Sequence, residues 1–213
     1  MLKLKSLALV AALLANAGPA LADNIIIDDF AFTPGLPVTV SAPAYSGLAG
    51  QFAGLLKGNP FLTYSTDLLQ SFEFDVLYPD YSVVDGVAAW GAQKSQDLER
   101  AISNFILFGN PTDNVQSAVT QTIIWEILYE NPINGYDFAS GSFTAISGDG
   151  AVQALLNGVN WAALPLQQVT HSVDQLYSLE HQDFLVVNNR VPEPGSAMLL
   201  LAGMAFVARR RQR

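Results

Sequence analysis

The sequence predicts an α+β fold, in which a β-rich, sandwich-like or barrel-like domain carries a central helical insertion. Segments rich in Ile, Val, Phe and Tyr occur early and late in the chain. Apolar residues at helical spacing occupy its middle, and an apolar run lies at each end. We therefore divide the chain into an N-terminal signal peptide (1–22), an extracytoplasmic domain (23–190) and a tail with a short hydrophobic helix (191–213).

The predicted strands lie at the two ends of the domain. Asn24–Phe30 and Pro37–Ser41 are short, β-branched or aromatic segments bounded by turn residues. Leu62–Val84 carries Leu, Phe, Val and Tyr at short intervals and predicts one or two further strands. Ser172–Leu179 and Asp183–Asn188 are predicted to close the domain.

Two main helices are predicted between these strands. The first covers Gln93–Phe108; the second begins after Asp113, a good N-cap, and runs to about Tyr129, where Asn131-Pro132 stops it. The residues expected to face the core are Leu98, Ile102 and Phe105 in the first helix and Val119, Ile123 and Ile127 in the second.

The domain is strongly acidic. The formal net charge of the chain is −9, and between Asp23 and Val191 eighteen acidic residues face four basic ones, which gives −14. Such a domain repels nucleic acid and anionic membrane surfaces, so nucleic acid is excluded as a partner. The sequence contains no cysteine, which excludes disulfides, thiolate metal sites and cysteine nucleophiles. No cofactor is expected.

Residues 1–22 have the three parts of a secretory signal peptide. Two lysines precede an apolar run over residues 7–15, which a Gly-Pro pair ends. Ala20 and Ala22 then supply the small residues at the −3 and −1 positions that signal peptidase requires. The mature chain is predicted to begin at Asp23.

The tail begins with a rigid break at Pro192, Glu193 and Pro194, and a charge-free apolar run follows from Ser196 to Ala208. A helix of that length reaches about 20 Å, short of the ~30 Å hydrocarbon core of a bilayer. By the positive-inside rule the basic residues after the run would stay cytoplasmic, with the domain outside. These residues are Arg209, Arg210, Arg211 and Arg213.

The order Val191-Pro192-Glu193-Pro194, short apolar helix and arginine cluster resembles the PEP-CTERM sorting signal. The resemblance implies that a membrane enzyme of the exosortase type recognises and cuts the tail. It also implies a Gram-negative bacterium that makes exopolysaccharide. There the chain would be anchored in the inner membrane before processing, and afterwards held at the cell surface or released into the biofilm matrix. Exopolysaccharide and other surface proteins are the candidate partners.

Two segments of the domain resemble bacterial surface thioester domains, in which a glutamine side chain acylates a cysteine. Tyr64-Ser65-Thr66-Asp67 is similar to their Tyr-Cys-x-Asp segment, and Thr120–Ile127 is similar to their Thr-Gln-x-x-Ile-Trp helix. Gln182–Leu185 resembles their closing strand. The positions that match are Tyr64, Asp67, Thr120, Gln121, Ile124 and Trp125.

Ser65 stands where that family has its cysteine. An alkoxide leaves far less readily than a thiolate, so a Ser65–Gln121 ester would be a weak electrophile. We expect a vestigial site without a covalent bond, in which the Ser65 hydroxyl hydrogen-bonds the Gln121 amide. A residual ester between the two side chains remains the alternative.

Other side chains give weaker signals. His171 and His181 lack clustered carboxylates, so no metal site is predicted, and no Gly-x-Ser-x-Gly elbow occurs. Asp28-Asp29 and Asp149 could offer oxygens to calcium. Solvation at the surface or helix capping is the better interpretation, and Asp149 is expected to cap a short helix that ends near residue 156. Glu126 and Glu130 form a like-charge pair at i, i+4, conceivable as a glycosidase pair. Trp125 is expected in the core; Trp161 is the better candidate for an exposed sugar-stacking ring.

The sequence therefore predicts a non-enzymatic, exported surface or matrix protein sorted by its tail. Two alternatives remain open: an adhesin with a residual covalent site at Ser65 and Gln121, and a carbohydrate-binding protein or carbohydrate-active enzyme of the matrix.

Overall fold

The computed structural model describes residues 23–104 and 111–189. The predicted signal peptide and the sorting tail lie outside the described residues, as do the last four residues of the first predicted helix, 105–108. Among the described helices, none is long and apolar enough to cross a membrane.

Nine strands and four α-helices form the described part of the chain. The strands are β1 (Asp23–Phe30), β2 (Leu36–Ser41), β3 (Ala44–Ala49), β4 (Phe52–Leu56), β5 (Asn59–Thr63), β6 (Leu77–Asp85), β7 (Ala145–Ile146), β8 (His171–Tyr177) and β9 (Phe184–Asn189). The helices are α1 (Gly86–Trp90), α2 (Ala92–Asn104), α3 (Asn114–Tyr129) and α4 (Gly150–Asn157), with 3₁₀ turns at Pro132–Asn134 and Trp161–Leu166.

The strands form two antiparallel sheets. The larger has the order β5-β4-β1-β6-β8-β9, and the smaller has the order β3-β2-β7. The four helices lie between β6 and β8 in the chain, so the predicted β-rich domain with a central helical insertion is confirmed.

The larger sheet curls until its two ends meet, which makes it a nearly closed barrel. Just after β5, Ser65 forms an isolated antiparallel bridge with Phe184 at the start of β9. The Leu185 amide donates to the Tyr64 carbonyl at 2.9 Å, and the Thr66 amide donates to the Asp183 carbonyl at 2.9 Å. The barrel-like form of the prediction is therefore confirmed, and Ser65 lies at the closing seam.

Two hydrophobic clusters hold these layers together. The barrel interior contains Ile25, Ile27, Phe52, Tyr78, Tyr81, Leu176 and Phe184. The second cluster joins the outside of the barrel, the smaller sheet and the helices; its larger members include Val38, Tyr64, Leu98, Ile123, Trp125, Phe143 and Leu185. Because side chains alternate along a strand, Ile25 and Ile27 of β1 lie on the same side of the sheet, the one that faces the barrel interior.

Helix α3 is the centre of the second cluster. Every residue from Ser117 to Ile127 is buried, and α3 contacts β2, β3, α2 and α4. A helix enclosed on all sides needs its polar side chains to be satisfied internally. The predicted cap is confirmed, since Asp113 Oδ1 accepts from the Gln116 amide at 2.8 Å, and so is the end at Tyr129.

The carboxylate of Glu130 organises the loop that leaves α3. It accepts from the backbone amides of Asn131 (2.7 Å), Ser142 (2.6 Å) and Phe143 (2.9 Å). Gly141 has φ +103°, and a Cβ there would collide with Glu130 Oε2. The glycine therefore allows the loop to fold down onto the buried carboxylate.

Four strands were not predicted: the two-residue β7, and the strands β3, β4 and β5. β3, β4 and β5 occupy 44–63, where Gly47, Gly50 and Gly54 dilute the β-branched pattern. The β4–β5 hairpin turns at Lys57-Gly58, both with positive φ (53° and 76°), as a type I′ hairpin turn requires. Gly54 is needed because a Cβ there would strike the Ile26 carbonyl of the neighbouring strand. The predicted strand region Leu62–Val84 is only partly extended, since β6 begins at Leu77.

Candidate functional site

The structure brings Ser65 and Gln121 into direct contact. The Ser65 amide donates to Gln121 Oε1 at 2.8 Å, and Gln121 Nε2 donates to the Ser65 carbonyl at 2.8 Å. Each residue is 1% exposed. The side-chain amide of Gln121 thus occupies the place of a neighbouring strand and pairs with the main chain of Ser65.

The alternation of an antiparallel ladder explains this contact. Tyr64 and Thr66 direct their backbone polar groups to β9, so the N–H and C=O of Ser65 point away from β9. They point toward α3, where water is excluded and both groups need partners. Gln121 supplies a donor and an acceptor at the required spacing.

The prediction that the Ser65 hydroxyl bonds the Gln121 amide is wrong about the atoms involved, although the two residues are in contact. Ser65 Oγ donates to the Asp67 carbonyl at 2.6 Å and accepts from Gln182 Nε2. The hydroxyl faces the segment that follows Ser65, whereas Gln121 pairs with main-chain atoms. The Ser65–Gln121 pairing thus involves no atom of the serine side chain.

The other residues of the two motifs surround this pair. Tyr64 is 1% exposed, and burial raises the pKa of its hydroxyl. Asp67 Oδ1 accepts from the Leu69 amide at 2.7 Å and from the Tyr129 hydroxyl at 3.5 Å. Thr120 Oγ1 donates to the Gln116 carbonyl of its own helix at 2.9 Å.

A cavity of about 220 Å³ opens beside Ser65 and Gln121. Its apolar wall consists mainly of aromatic rings, and the polar groups of its lining residues are three amides, two hydroxyls, one indole and one carboxylate. The lining residues are Phe30, Tyr45, Leu48, Phe52, Ser65, Asp67, Leu68, Gln70, Phe72, Phe74, Gln121, Trp125 and Gln182.

Four phenylalanines form one side of the cavity by packing on one another. Ring centroids are 4.9 Å apart for Phe30 and Phe52, 5.2 Å for Phe52 and Phe72, and 5.1 Å for Phe72 and Phe74. On the opposite side Tyr45 meets Trp125 edge to face at 5.4 Å. Such aromatic contacts stabilise the arrangement of the rings by more than the burial of their apolar surface alone would.

Two residues around the cavity each have a polar atom that is buried away from solvent and unsatisfied. Trp125 is 2% exposed, and its indole Nε1 has no hydrogen-bond partner among the described residues; Gln70 Oε1 also lacks one. An unpaired buried donor or acceptor costs about 1–3 kcal/mol. The prediction that Trp125 lies in the core is confirmed, but its ring also lines the cavity.

A wider concavity of about 700 Å³ has Tyr64 in its lining. Half of its lining residues belong to β4 and β5, and Asp28 and His171 are among its few polar side chains. None of the predicted motif residues except Tyr64 lines it. The smaller cavity is therefore the one that the predicted site forms.

Glu126 and Glu130 are not a like-charge pair. Burial raises the pKa of Glu126 to about 8, so the group is neutral near pH 7. Burial also acts to raise the pKa of Glu130, but the amides of Phe143, Asn131 and Ser142 outweigh it and bring the pKa below its usual value. Both side chains are fully buried, and neither lines the two cavities. Their described contacts are with the loop after α3.

The remaining predicted residues have structural surroundings of their own. Asp149 caps α4 by accepting from Ala151 and Val152, and Asp29 accepts from the Phe30 amide. His181 packs on Tyr78 at 4.4 Å, and Trp161 is half-buried against Tyr136 and Phe138. Within 23–104 and 111–189, no three His, Asp or Glu side chains group so as to hold a metal ion.

Sequence reasoning missed several residues of the cavity. Gln70, Phe72, Phe74 and Tyr45 lie in segments that carry no motif, and Gln182 entered only as part of the closing strand. The spacing Phe72-x-Phe74 before β6 is the one signal that could have indicated an aromatic wall.

The comparisons with known proteins bear on the tail. Residues 190–212 match the PEP-CTERM protein-sorting motif. The motif starts directly after β9, whose last residue is Asn189. The chain matches no curated protein and no solved structure. The likeness of the domain to thioester domains therefore depends on the residues quoted above alone.

Replacing Gln121 tests its pairing with Ser65. Gln121→Ala removes both partners of a buried N–H and C=O, so we expect a loss of about 2–5 kcal/mol in the free energy of unfolding. Gln116→Ala, the same change in a half-exposed position of α3, should cost about 1 kcal/mol or less. Urea denaturation followed by circular dichroism measures both. Equal effects of the two substitutions would contradict the assigned role of Gln121.

The buried carboxyl of Glu126 predicts a pH dependence. The folded state keeps this proton up to about pH 8, whereas the unfolded chain loses it near the ordinary carboxyl pKa. The folded state thus binds more protons over this range, and its stability falls as pH rises from 4.5 to 8. Glu126→Gln is neutral throughout, so its stability relative to wild type should rise over that range. The exposed Glu180→Gln serves as control; denaturation curves at several pH values that show no such relative gain would refute the prediction.

Proposed function

We propose that the chain is a non-enzymatic protein of the cell surface or extracellular matrix, processed by an exosortase-type enzyme. The observation that carries this proposal is the PEP-CTERM motif at 190–212, which implies export and sorting to the cell surface. The N-terminal segment, with Ala20 and Ala22 before Asp23, supports export through signal peptidase.

The position of the motif suits removal of the tail. The last strand of the barrel ends at Asn189, one residue before the motif begins. The contacts that close the barrel, from Tyr64 to Leu185 and from Thr66 to Asp183, all precede it. Cleavage near Pro192–Pro194 would therefore leave these contacts in place.

The arrangement of the buried polar groups supports a non-enzymatic role. Glu126 and Glu130 bind backbone amides of the loop after α3. The Ser65 hydroxyl is engaged by Asp67 and Gln182, with no histidine in contact to activate it as a nucleophile. These groups stabilise the fold, and a binding or structural role remains for the surface of the domain.

The alternative is an adhesin with a residual covalent site. The observation in its favour is that the side-chain amide of Gln121 lies 2.8 Å from the main-chain N and O atoms of Ser65. Ester formation would expel the amide nitrogen as ammonia, with the hydroxyl proton leaving on it. Because both amide atoms of Gln121 already pair with the main chain of Ser65, we favour the intact amide.

Intact mass separates the two possibilities. We expect the domain of the wild-type protein to have its full calculated mass and not to react with methylamine. Ser65→Ala, which lacks the hydroxyl, is the control and should behave in the same way. Ser65→Cys restores a good leaving group and is the variant expected to lose about 17 Da, the mass of ammonia. A wild-type mass lower than calculated by one ammonia would establish the adhesin alternative.

Deletion of the sorting motif tests the main proposal. Removing Pro192–Pro194 should leave an uncut precursor in the membrane fraction, because the exosortase-type enzyme would lose its recognition sequence. The double substitution Asn188→Ala and Asn189→Ala alters the exposed end of β9 just upstream and should be processed normally. Immunoblots of membrane, surface and medium fractions measure the outcome. Unchanged processing of the deletion variant would refute sorting through this motif.

A further inference from the structure

We propose that the free edge of β3 pairs with the same strand of a second copy of this chain, about a two-fold axis at Ser46. The pairing joins the smaller sheets of the two copies into one continuous sheet. This inference goes beyond the sorting proposal, since it concerns how exported copies assemble, and its failure would leave the sorting test unaffected.

Strand β3 lies at the edge of the smaller sheet, and alternation decides which of its main-chain groups face outward. The Ser41 amide donates to the Thr144 carbonyl at 3.1 Å, on the β7 side of β2. The main chain of the preceding residue, Val40, therefore faces β3 and its partner Tyr45. The N–H and C=O of Ser46 consequently point away from β2, and in the described part of the chain no residue beyond the sheet bonds either group.

The contacts of two neighbouring carbonyls agree with this alternation. The Leu48 carbonyl, which also points away from β2, accepts from the Tyr45 hydroxyl at 3.0 Å. The Pro37 carbonyl, on the β7 side of β2, accepts from the Ser147 hydroxyl at 2.6 Å. Ala44, Ser46 and Leu48 therefore form the outward row of β3, and all three are exposed.

Strand β3 carries none of the features that usually keep an edge strand from pairing. Those features are charged side chains, proline, β-bulges and a very short strand. The six residues Ala44–Ala49 include no charged residue and no proline, and their register with β2 runs without a shift. A further antiparallel strand can therefore add to this edge.

Charge makes this edge a place where two copies can meet. Copies of the domain repel one another, because eighteen acidic residues face four basic ones between Asp23 and Val191. The strands β2, β3 and β7 contain no Asp, Glu, Lys or Arg, so contact through them opposes no like charges. A basic partner, which the net charge attracts, would find no carboxylate on these strands.

A two-fold axis at Ser46 gives the outward groups of β3 their partners. Ser46 then bonds Ser46 of the second copy, and Ala44 faces Leu48 of the second copy, in the pattern of hydrogen-bonded pairs. The Leu48 carbonyl can accept this bond as well, since it has two lone pairs and the Tyr45 hydroxyl uses one.

The side chains that face each other across this axis are also compatible. Two serine hydroxyls can hydrogen-bond across paired strands. Leu48 is 47% exposed in the single copy, and the small side chain of Ala44 leaves room for it in the pair. The same strand thus supplies both halves of the interface, as a closed two-fold dimer requires.

Single cysteines test the axis directly, because the chain has no cysteine of its own. The two Cα atoms of a hydrogen-bonded antiparallel pair lie about 5.5 Å apart, within the range of disulfides. With a mild oxidant, the full-length Ser46→Cys protein should therefore form a disulfide-linked dimer at least about tenfold faster than Thr39→Cys. Thr39 is exposed on the same face one strand away, so its two copies lie about 15 Å apart, beyond disulfide reach. Non-reducing electrophoresis over time measures both rates.

Charge at the axis gives a second, reversible readout. In sedimentation experiments at about 0.15 M salt, the full-length wild-type protein should form a dimer that dissociates on dilution. Ser46→Asp should raise the dissociation constant at least about tenfold, because two carboxylates would face each other. Thr39→Asp adds the same charge beyond a Debye length from its copy and should change the constant less than about twofold. Circular dichroism checks that both variants fold.

Three results would overturn the inference. One is equal cross-linking of the two cysteine variants. Another is a folded Ser46→Asp protein that dimerises as tightly as wild type, which would place the contact on another surface. The third is a wild-type protein that stays monomeric up to about 1 mM.

Discussion

Closure of the barrel at Ser65 is the constraint on which the rest of the domain depends. The chain after β5 is joined to the chain at the start of β9 by one backbone hydrogen bond on each side of Ser65. The alternation of the ladder turns the N–H and C=O of Ser65 away from β9. Water cannot satisfy these groups, because Ser65 is 1% exposed. The amide of Gln121 does so with two bonds of 2.8 Å, and a helix is thereby fixed to the seam of a barrel.

This contact also determines the shape of the cavity. Gln121 positions α3 so that Trp125, one turn later, presents its ring to the opening between the seam and the smaller sheet. The phenylalanines enclose the other side. The seam therefore serves stability and leaves a pocket beside it. The tail beyond Asn189 separately carries the sorting motif.

The sequence predicted helix caps and core positions better than it predicted which atoms form the hydrogen bonds between Ser65 and Gln121. Capping at Asp113 and Asp149 and the core positions of α3 depend on local chemistry and were correct. The Ser65–Gln121 proximity followed from a resemblance, but the choice of main-chain atoms follows from strand pairing across 119 residues, which no local pattern contains. The charges of Glu126 and Glu130 likewise depend on burial and on loop amides. Strands β3–β5 were missed because glycines needed for close packing weaken the β pattern.

Native-state hydrogen exchange at the Ser65 amide is the most direct test of the central claim, that Gln121 closes the barrel by pairing with Ser65. If it does, this amide should exchange as slowly as those of Ile25 and Ile27 in the barrel core, and Gln121→Met should speed its exchange by orders of magnitude. Exchange of the wild-type Ser65 amide as fast as that of the open Gly148 loop would contradict the account.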